Sequence, residues 1–372
     1  MTAVILPGGG HLASLSLNTG PAAGVNPLWE VPWPSMDPEA FDPARDLPSY
    51  GGPPEGRLLA SIMGHNPCLG WFGPPSAREA EQGFTVHGEA PVADWNVKAE
   101  HEPGGAARLT ARVALPHAGL EVHRAFVPAK GGAVLRVETD VVNAGAAPAS
   151  FGWQEHATFG PPFLEPGVTV FDLPASWACS YPERFANQHR LRTGRDTAFT
   201  WPLAPGLDGT PVDLRVFPGG APCGDFTAQL MDPSGDWAWM TAVNPRLGLL
   251  AGYCWPRDEF PWVGLWDEHR DRLTKPWDGR TEARGLEFGL SPFPLGLDAM
   301  RALGSLHGEE VLGTLPPGGR RRGTFFVFLA AVRPGCVGVE RVTVEHETIA
   351  VRPSTKLGAS LHGGEELRLS CL

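Results

Sequence analysis

Three short stretches of the chain place proton-exchanging side chains in apolar company. Residues 86–97 (VHGEAPVADWNV) carry His87 and Trp95. Residues 152–164 (GWQEHATFGPPFL) carry Glu155 and His156. Residues 284–294 (RGLEFGLSPFP) set Glu287 between Leu286 and Phe288. Histidine and carboxylate side chains can take up and return protons near neutral pH, so the set suits acid–base chemistry. Taken singly, each residue has a plainer explanation. His87 fits a surface turn, His156 a satisfied structural histidine at a strand end, and Glu287 a solvent-facing position on an edge strand. A fourth stretch, WDEHRD at 266–271, offers Asp267, Glu268 and His269 as oxygen and imidazole ligands for a divalent metal. Adjacent strand residues point to opposite faces, so that set works only in a loop, and a solvated charged turn is the simpler reading. The segment SYPERFANQHR, 180–190, reads as surface charge or a loop flanking a ligand. No GxSxG, Walker A or dinucleotide fingerprint occurs, and the GGGH near the start lacks the strand-then-helix setting of a phosphate loop.

The elements that must position these residues read as strands. Residues 108–115, 119–127 and 133–142 alternate polar and apolar side chains and are separated by Pro- and Gly-bearing turns, which predicts an antiparallel meander. Further strands are expected at 167–172, 211–217, 236–242, 247–252, 323–332 and 338–351. Only 76–82 and 297–303 suggest helices. Strands without intervening helices argue for an antiparallel sandwich over a parallel α/β sheet. Residues 27–54 are Pro-rich but contain Trp29, Trp33 and Phe41, so they read as an ordered loop packed on the sheet or over a site. With no clear linker and no internal repeat, one continuous domain, residues 1–372, is expected.

Composition agrees and excludes several functions. The 372 residues include 47 Gly and 39 Pro, which leaves little room for long helices. The net charge of −11, with no basic run beyond Arg320–Arg322, argues against nucleic acid as a partner. No segment approaches a membrane span, and the N-terminus has no basic region before its short apolar run, so no membrane association and a cytoplasmic location are expected. The six cysteines follow no metal or disulfide spacing and are expected to be buried free thiols. Thirteen Trp against three Tyr supply flat apolar faces, most of them for the core, with Trp71, Trp95, Trp153 and Trp266 close enough to the ionisable stretches to stack on a ligand.

The order and context of these motifs carry a resemblance. His87-Gly88 is followed by Trp95-Asn96-Val97. Thr139 to Gly145 (TDVVNAG) leads through Ala147-Pro148 and Phe151-Gly152-Trp153 to His156. Leu286-Glu287 precedes Pro292, and the opening GGGHLASLSL has the look of a first hairpin. Together they resemble the aldose 1-epimerase family, the galactose mutarotase-like proteins, over nearly the whole chain. The resemblance implies an all-β fold, a large antiparallel β-sandwich, and a cofactor-free mutarotase acting on a monosaccharide or sugar derivative. Glu287 would be the base, His156 the acid, and His87 a hydrogen-bonding helper near the ring oxygen. The chain departs from the family where Glu155 precedes the second histidine and Ala157-Thr158-Phe159 follows it. It also lacks the R-x-x-N-R-I segment, in whose place stand Met63-Gly64-His65-Asn66-Pro67. His65 or Asn66 would then meet sugar hydroxyls, with Trp95, Trp153, Glu155 and Trp266 as further substrate-binding residues. Asp236, Asp258 and Asp267 are the alternatives for a substrate-binding aspartate, and Arg57, Arg124 or Arg284 would be needed for a phosphosugar. The departures leave open a non-catalytic carbohydrate-binding or sensing protein. The 266–271 cluster leaves open a different isomerase or a lyase on the same scaffold.

Overall fold

The computed structural model describes residues 1–101, 107–194, 197–355 and 366–371. Two large antiparallel sheets face each other across a continuous apolar core. One, here the site sheet, has ten strands. Its central run is His65–Gly70, Ala149–Phe159, Glu282–Gly289, Trp262–His269 and Cys223–Met231, in that spatial order. The other, the back sheet, has eight strands and contains the predicted meander as Ala107–Leu115, Leu120–Pro128 and Val134–Asn143. The expected all-β sandwich is the observed architecture.

Each sheet has a second face, and both are covered. The outer face of the back sheet packs Val243, Leu250, Phe326 and Phe328 against Val339, Val342, Ile349 and Val351 of a three-stranded C-terminal sheet. Residues 338–351 were expected as one strand. They form a hairpin of Gly338–Glu345 and Thr348–Ser354, turned at His346, whose φ of 53° breaks the extended run. The outer face of the site sheet lies under the Trp-rich segment that follows Pro27. Trp29, Trp33, Leu58, Leu59 and Ile62 pack there with Phe226, Trp262, Trp266 and Trp277. Backbone bonds fasten this cover: Trp29 N–H donates to Thr158 O at 2.8 Å, Gly64 N–H to Trp29 O at 2.9 Å, and Thr158 N–H to Gly64 O at 3.1 Å. Residues 27–54 are therefore an ordered cover on the sheet.

The two expected helices form at Ala77–Glu81, with a Ser76/Glu79 capping box, and at Leu297–Leu303. All six cysteines are buried and unpaired. Among the described residues no helix is long and apolar enough to cross a membrane.

Candidate functional site

The strand Glu282–Gly289 alternates between two environments. Arg284, Leu286 and Phe288 face the back sheet, while Gly285, Glu287 and Gly289 face the cover. Glu287 is thus not on an edge strand: its strand lies between Ala149–Phe159 and Trp262–His269, and the residue is 2% exposed. Strand register places Asn66, His156, Glu287 and Gly264 in one row across the sheet. Directly opposite residues on one face lie close enough for side chains to meet. His156 Nε2 donates to Glu287 Oε1 at 2.8 Å, and His156 Nδ1 lies 2.9 Å from the Thr158 hydroxyl. Glu287 Oε2 is buried and has no hydrogen-bond partner among the described residues.

Glycines make the space this carboxylate occupies. A Cβ on Gly285 would stand 2.8 Å from Glu287 Oε1 and 3.3 Å from His156 Cε1. On Gly264 it would stand 2.6 Å from the Phe226 ring and 3.2 Å from Glu287 Oε2. Gln154, two residues before His156 and on the same face, fixes the strand end. Its amide nitrogen donates to Glu287 O at 3.2 Å and Ser291 O at 2.9 Å, and its oxygen accepts Ser291 N–H at 2.8 Å. We predict that Gly285→Ala leaves the fold intact but lowers any activity that depends on Glu287 by at least about tenfold, because a shift of an ångström at a reacting group has costs of that order or larger. Activity within twofold of the parent would show that the carboxylate does not need this clearance.

His87 reaches the same place from a turn. Its φ is 63°, a left-handed conformation that costs a non-glycine residue about 1–3 kcal/mol and is often kept at functional positions. Its ring lies 5.4 Å from that of His156. Nδ1 accepts the Gly73 N–H at 3.3 Å, so the proton of the neutral ring sits on Nε2. Burial, then the nearby His156 and Arg272, hold the His87 pKa well below the ordinary histidine value, which keeps it neutral. Burial also lowers the pKa of His65, against the pull of Glu155, and that of His11 to about 4. The sign follows from linkage. At pH values between each folded pKa and the ordinary 6.5, the unfolded chain binds protons that the folded chain refuses. Stability therefore falls as pH falls from 6.5, by up to about 1.4 kcal/mol per pH unit for each histidine while that histidine is in its window. For His11 the window ends near 4. Denaturant midpoints measured from pH 7 to 4.5 should decline steadily; a flat profile would mean these rings are not held neutral.

His87, His156 and Glu287 line one cavity of about 320 Å³. Much of its wall is apolar and aromatic, with Leu58, Leu59 and Ile62 from the cover, Phe226 and Trp266 from the sheet and Trp277 from the following loop. Glu55, Glu183, Arg184 and Arg272 add charge to the lining. The size falls at the lower end of small-molecule pockets, on the scale of one monosaccharide. Of the residues read from the sequence as substrate-binding, only Trp266 is in this wall. Asn66 shares the face of His156 but is fully buried beneath the site, with its oxygen unpartnered.

His65, Trp153 and Glu155 point the other way, into the space between the sheets. Glu155 there accepts His65 Nε2–H at 2.8 Å and Trp153 Nε1–H at 2.9 Å, and pairs with Arg124. Trp95 is buried in the same core and donates to Ala90 O at 3.0 Å. These four are separated from the cavity by the sheet itself, because a strand that presents His156 outward must present residues 153 and 155 inward. Trp71 stacks on Phe84 at 4.2 Å in a different groove. None of the candidate aspartates lines the cavity. Asp236 and Asp258 are exposed, and Asp267 forms a bidentate pair with Arg284 at 2.7 and 2.8 Å. Residues 266–269 are buried in a strand and not in a charged turn. Asp267 is spent on Arg284 and Arg190, and Glu268 accepts the backbone N–H groups of Asp271 and Arg272, so the cluster does not converge on an ion. Among the described residues no group of three or more such ligands is close enough to hold one.

The sequence reading missed Arg272 and Trp277. Both lie just past the WDEHRD motif, where the chain leaves the strand and turns back over the cavity. The Arg272 guanidinium sits 4.6 Å from the Trp277 ring and 5.5 Å from the Trp266 ring. Tyr181 and Phe185 also line the cavity, which makes 180–190 a flanking loop rather than plain surface charge.

No family model and no curated protein matches the chain. Solved structures do match its fold. A protein from Klebsiella pneumoniae provisionally named an aldose 1-epimerase is 17% identical, with a TM-score of 0.60, covering 88% of this chain and 76% of its own. A galactose mutarotase-like protein from Clostridium acetobutylicum is 16% identical, with a TM-score of 0.52, covering 89% and 92%. At these identities the likeness is one of fold: the chain has the galactose mutarotase-like β-sandwich.

Proposed function

We propose that the protein is a carbohydrate-active enzyme that interconverts the anomers of a sugar, an aldose 1-epimerase. The observation that carries this reading is the buried, unpartnered Oε2 of Glu287, on a carboxylate held by His156 at the floor of a monosaccharide-sized aromatic cavity that His87 also enters. Anomer exchange requires a base to take the proton of the anomeric hydroxyl while the bond from C1 to the ring oxygen breaks and an acid protonates that oxygen. The C1–C2 bond then rotates and the steps reverse on the other face. Glu287 Oε2 has the free lone pairs for the first transfer. His156 is the acid, once substrate draws its Nε2–H away from Oε1; such bonds often rearrange on binding. Neutral His87 donates its Nε2–H to the ring oxygen region or a neighbouring hydroxyl. Trp266 borders the C–H side of the ring as part of the aromatic wall. The similarity of fold to an aldose 1-epimerase and a mutarotase-like protein supports the reading.

One observation favours a second reading, a sugar-binding protein without turnover. Both ring nitrogens of His156 are engaged, one by Glu287 itself. Saturation-transfer NMR across hexoses, pentoses and uronates separates the two. Exchange above the spontaneous rate supports the enzyme; binding without exchange for every sugar that binds removes it in favour of the second reading.

A further inference from the structure

We infer that the cavity selects a sugar bearing an oxyanion, a carboxylate or a phosphate, and that Arg272 anchors it. The inference rests on the sugar-site reading above. Arg272 is one of two arginines in a lining that also holds Glu55, Glu183 and Glu287. Arg184, the other arginine of the lining, is exposed and turns Nε and one terminal nitrogen to Ala186 O and Asn187 O. Arg272 by contrast is two-thirds buried, its side chain 34% exposed, and its guanidinium carbon lies against both indoles. Trp266 and Trp277 meet nearly edge to face, at 81°, so the guanidinium lies in the corner between them. Cation–π contact holds a guanidinium without consuming its N–H groups.

Those N–H groups are largely unspent. Among the described residues the one ion pair of Arg272 is to Glu268 Oε2, from Nε, at a long 3.4 Å. Glu268 accepts the backbone N–H groups of Asp271 and Arg272 through its other oxygen, Oε1, so the pair engages Nε alone and leaves the terminal nitrogens out. Among the described residues neither terminal nitrogen of Arg272 has a hydrogen-bond partner. A guanidinium offers five donors in a planar fork that matches carboxylate and phosphate oxygens two at a time. An immobilised fork in the wall of a ligand cavity is a preformed oxyanion seat.

The opposite charge at the floor gives the site a direction. A sugar oxyanion placed against the Glu287 carboxylate would be repelled, whereas one at Arg272 would be attracted, and partial burial reduces screening of both. The two charges together orient the ring, with its anionic substituent toward the indole corner and its anomeric end toward Glu287. The buried arginines Arg124 and Arg284 cannot do this, since they face the interior, and Arg57 lies on a separate groove.

The test compares glucose, glucuronate and glucose 6-phosphate by titration calorimetry and exchange NMR, on the parent protein, Arg272→Met and Glu287→Gln. Methionine keeps an apolar stem against the indoles and removes the fork. The parent should bind one of the two anionic sugars roughly 10- to 100-fold more tightly than glucose, and Arg272→Met should erase that preference while glucose binding persists. Preference for glucuronate identifies a carboxylate as the anchor; preference for the phosphate identifies a phosphoryl group. Equal binding of all three, or an unchanged preference in Arg272→Met, overturns the inference. The epimerase reading fails separately. Exchange of glucose without anion preference sinks only the Arg272 anchor. Anion-selective binding without exchange, lost in Arg272→Met, sinks only turnover. Absence of binding to all three sinks the anchor as well.

Discussion

Glu287→Gln should lower anomer exchange by about 10³-fold, or ~4 kcal/mol in the barrier, while sugar binding changes by less than about fivefold. The amide has the size and shape of the carboxylate, so the clearance made by Gly285 and Gly264 still fits it. Its oxygen can still accept the His156 Nε2–H. What it loses is the basic lone pair at Oε2, the buried atom without a partner. A buried oxygen without a protein partner is costly to leave unsatisfied, and a sugar hydroxyl at this position would satisfy it. The loss should therefore appear in turnover and not in affinity. Exchange within threefold of the parent would show that the proton goes elsewhere, and His87, the other ring at the cavity, would become the group to test. A parallel loss of binding and exchange would mean that Glu287 grips the sugar rather than deprotonates it.

How much of this site could be seen in the sequence depended on whether a residue's role is local. His87, His156 and Glu287 stood out because each is an ionisable group in an apolar stretch, and the structure brings all three to one cavity. The strands of the meander were legible for the same reason: one face of each is buried and the other is not, so period two survives in the letters. The central strands of the site sheet were harder. Ala149–Phe159 and Cys223–Met231 are buried on both faces, one by the core and one by the cover, and their alternation is between two kinds of interior. That is why Glu155 and Trp153 were read with His156. Nearness in sequence suggested nearness in space, whereas the pleat sends neighbours to opposite sides. Arg272 and Trp277 gave no signal at all. Their role depends on a loop folding back over a sheet, and on a guanidinium meeting two rings, six positions before it and five after it, that are brought together in the fold.

The same pleat leads to the largest stability effect expected. Arg124→Met should destabilise the protein by about 3–5 kcal/mol, whereas Arg124→Met combined with Glu155→Gln should recover most of that loss. Glu155 is fully buried behind His156. Burial would raise its pKa, but Arg124 and the donors His65 and Trp153 outweigh burial and hold it below the usual carboxylate value. It is therefore an anion in a medium that solvates anions poorly. Arg124 supplies the compensating charge and is itself steadied by donating from Nε to the Thr139 hydroxyl at 2.9 Å. Removing the cation alone strands the anion with only neutral donors. Removing both charges leaves an amide that His65 and Trp153 can still satisfy, since a neutral imidazole can change tautomer to suit it. Equilibrium unfolding in denaturant measures the two variants directly. A single-variant cost below about 1 kcal/mol, or a double variant no better than the single, would show that the pair is not the balanced charge the geometry describes. The expected result also bears on the cavity. Glu155 pins the strand from within at the position next to His156, so a protein that keeps its fold but loses this anchor should bind sugar with the site less well formed. The double variant should restore that binding along with the stability.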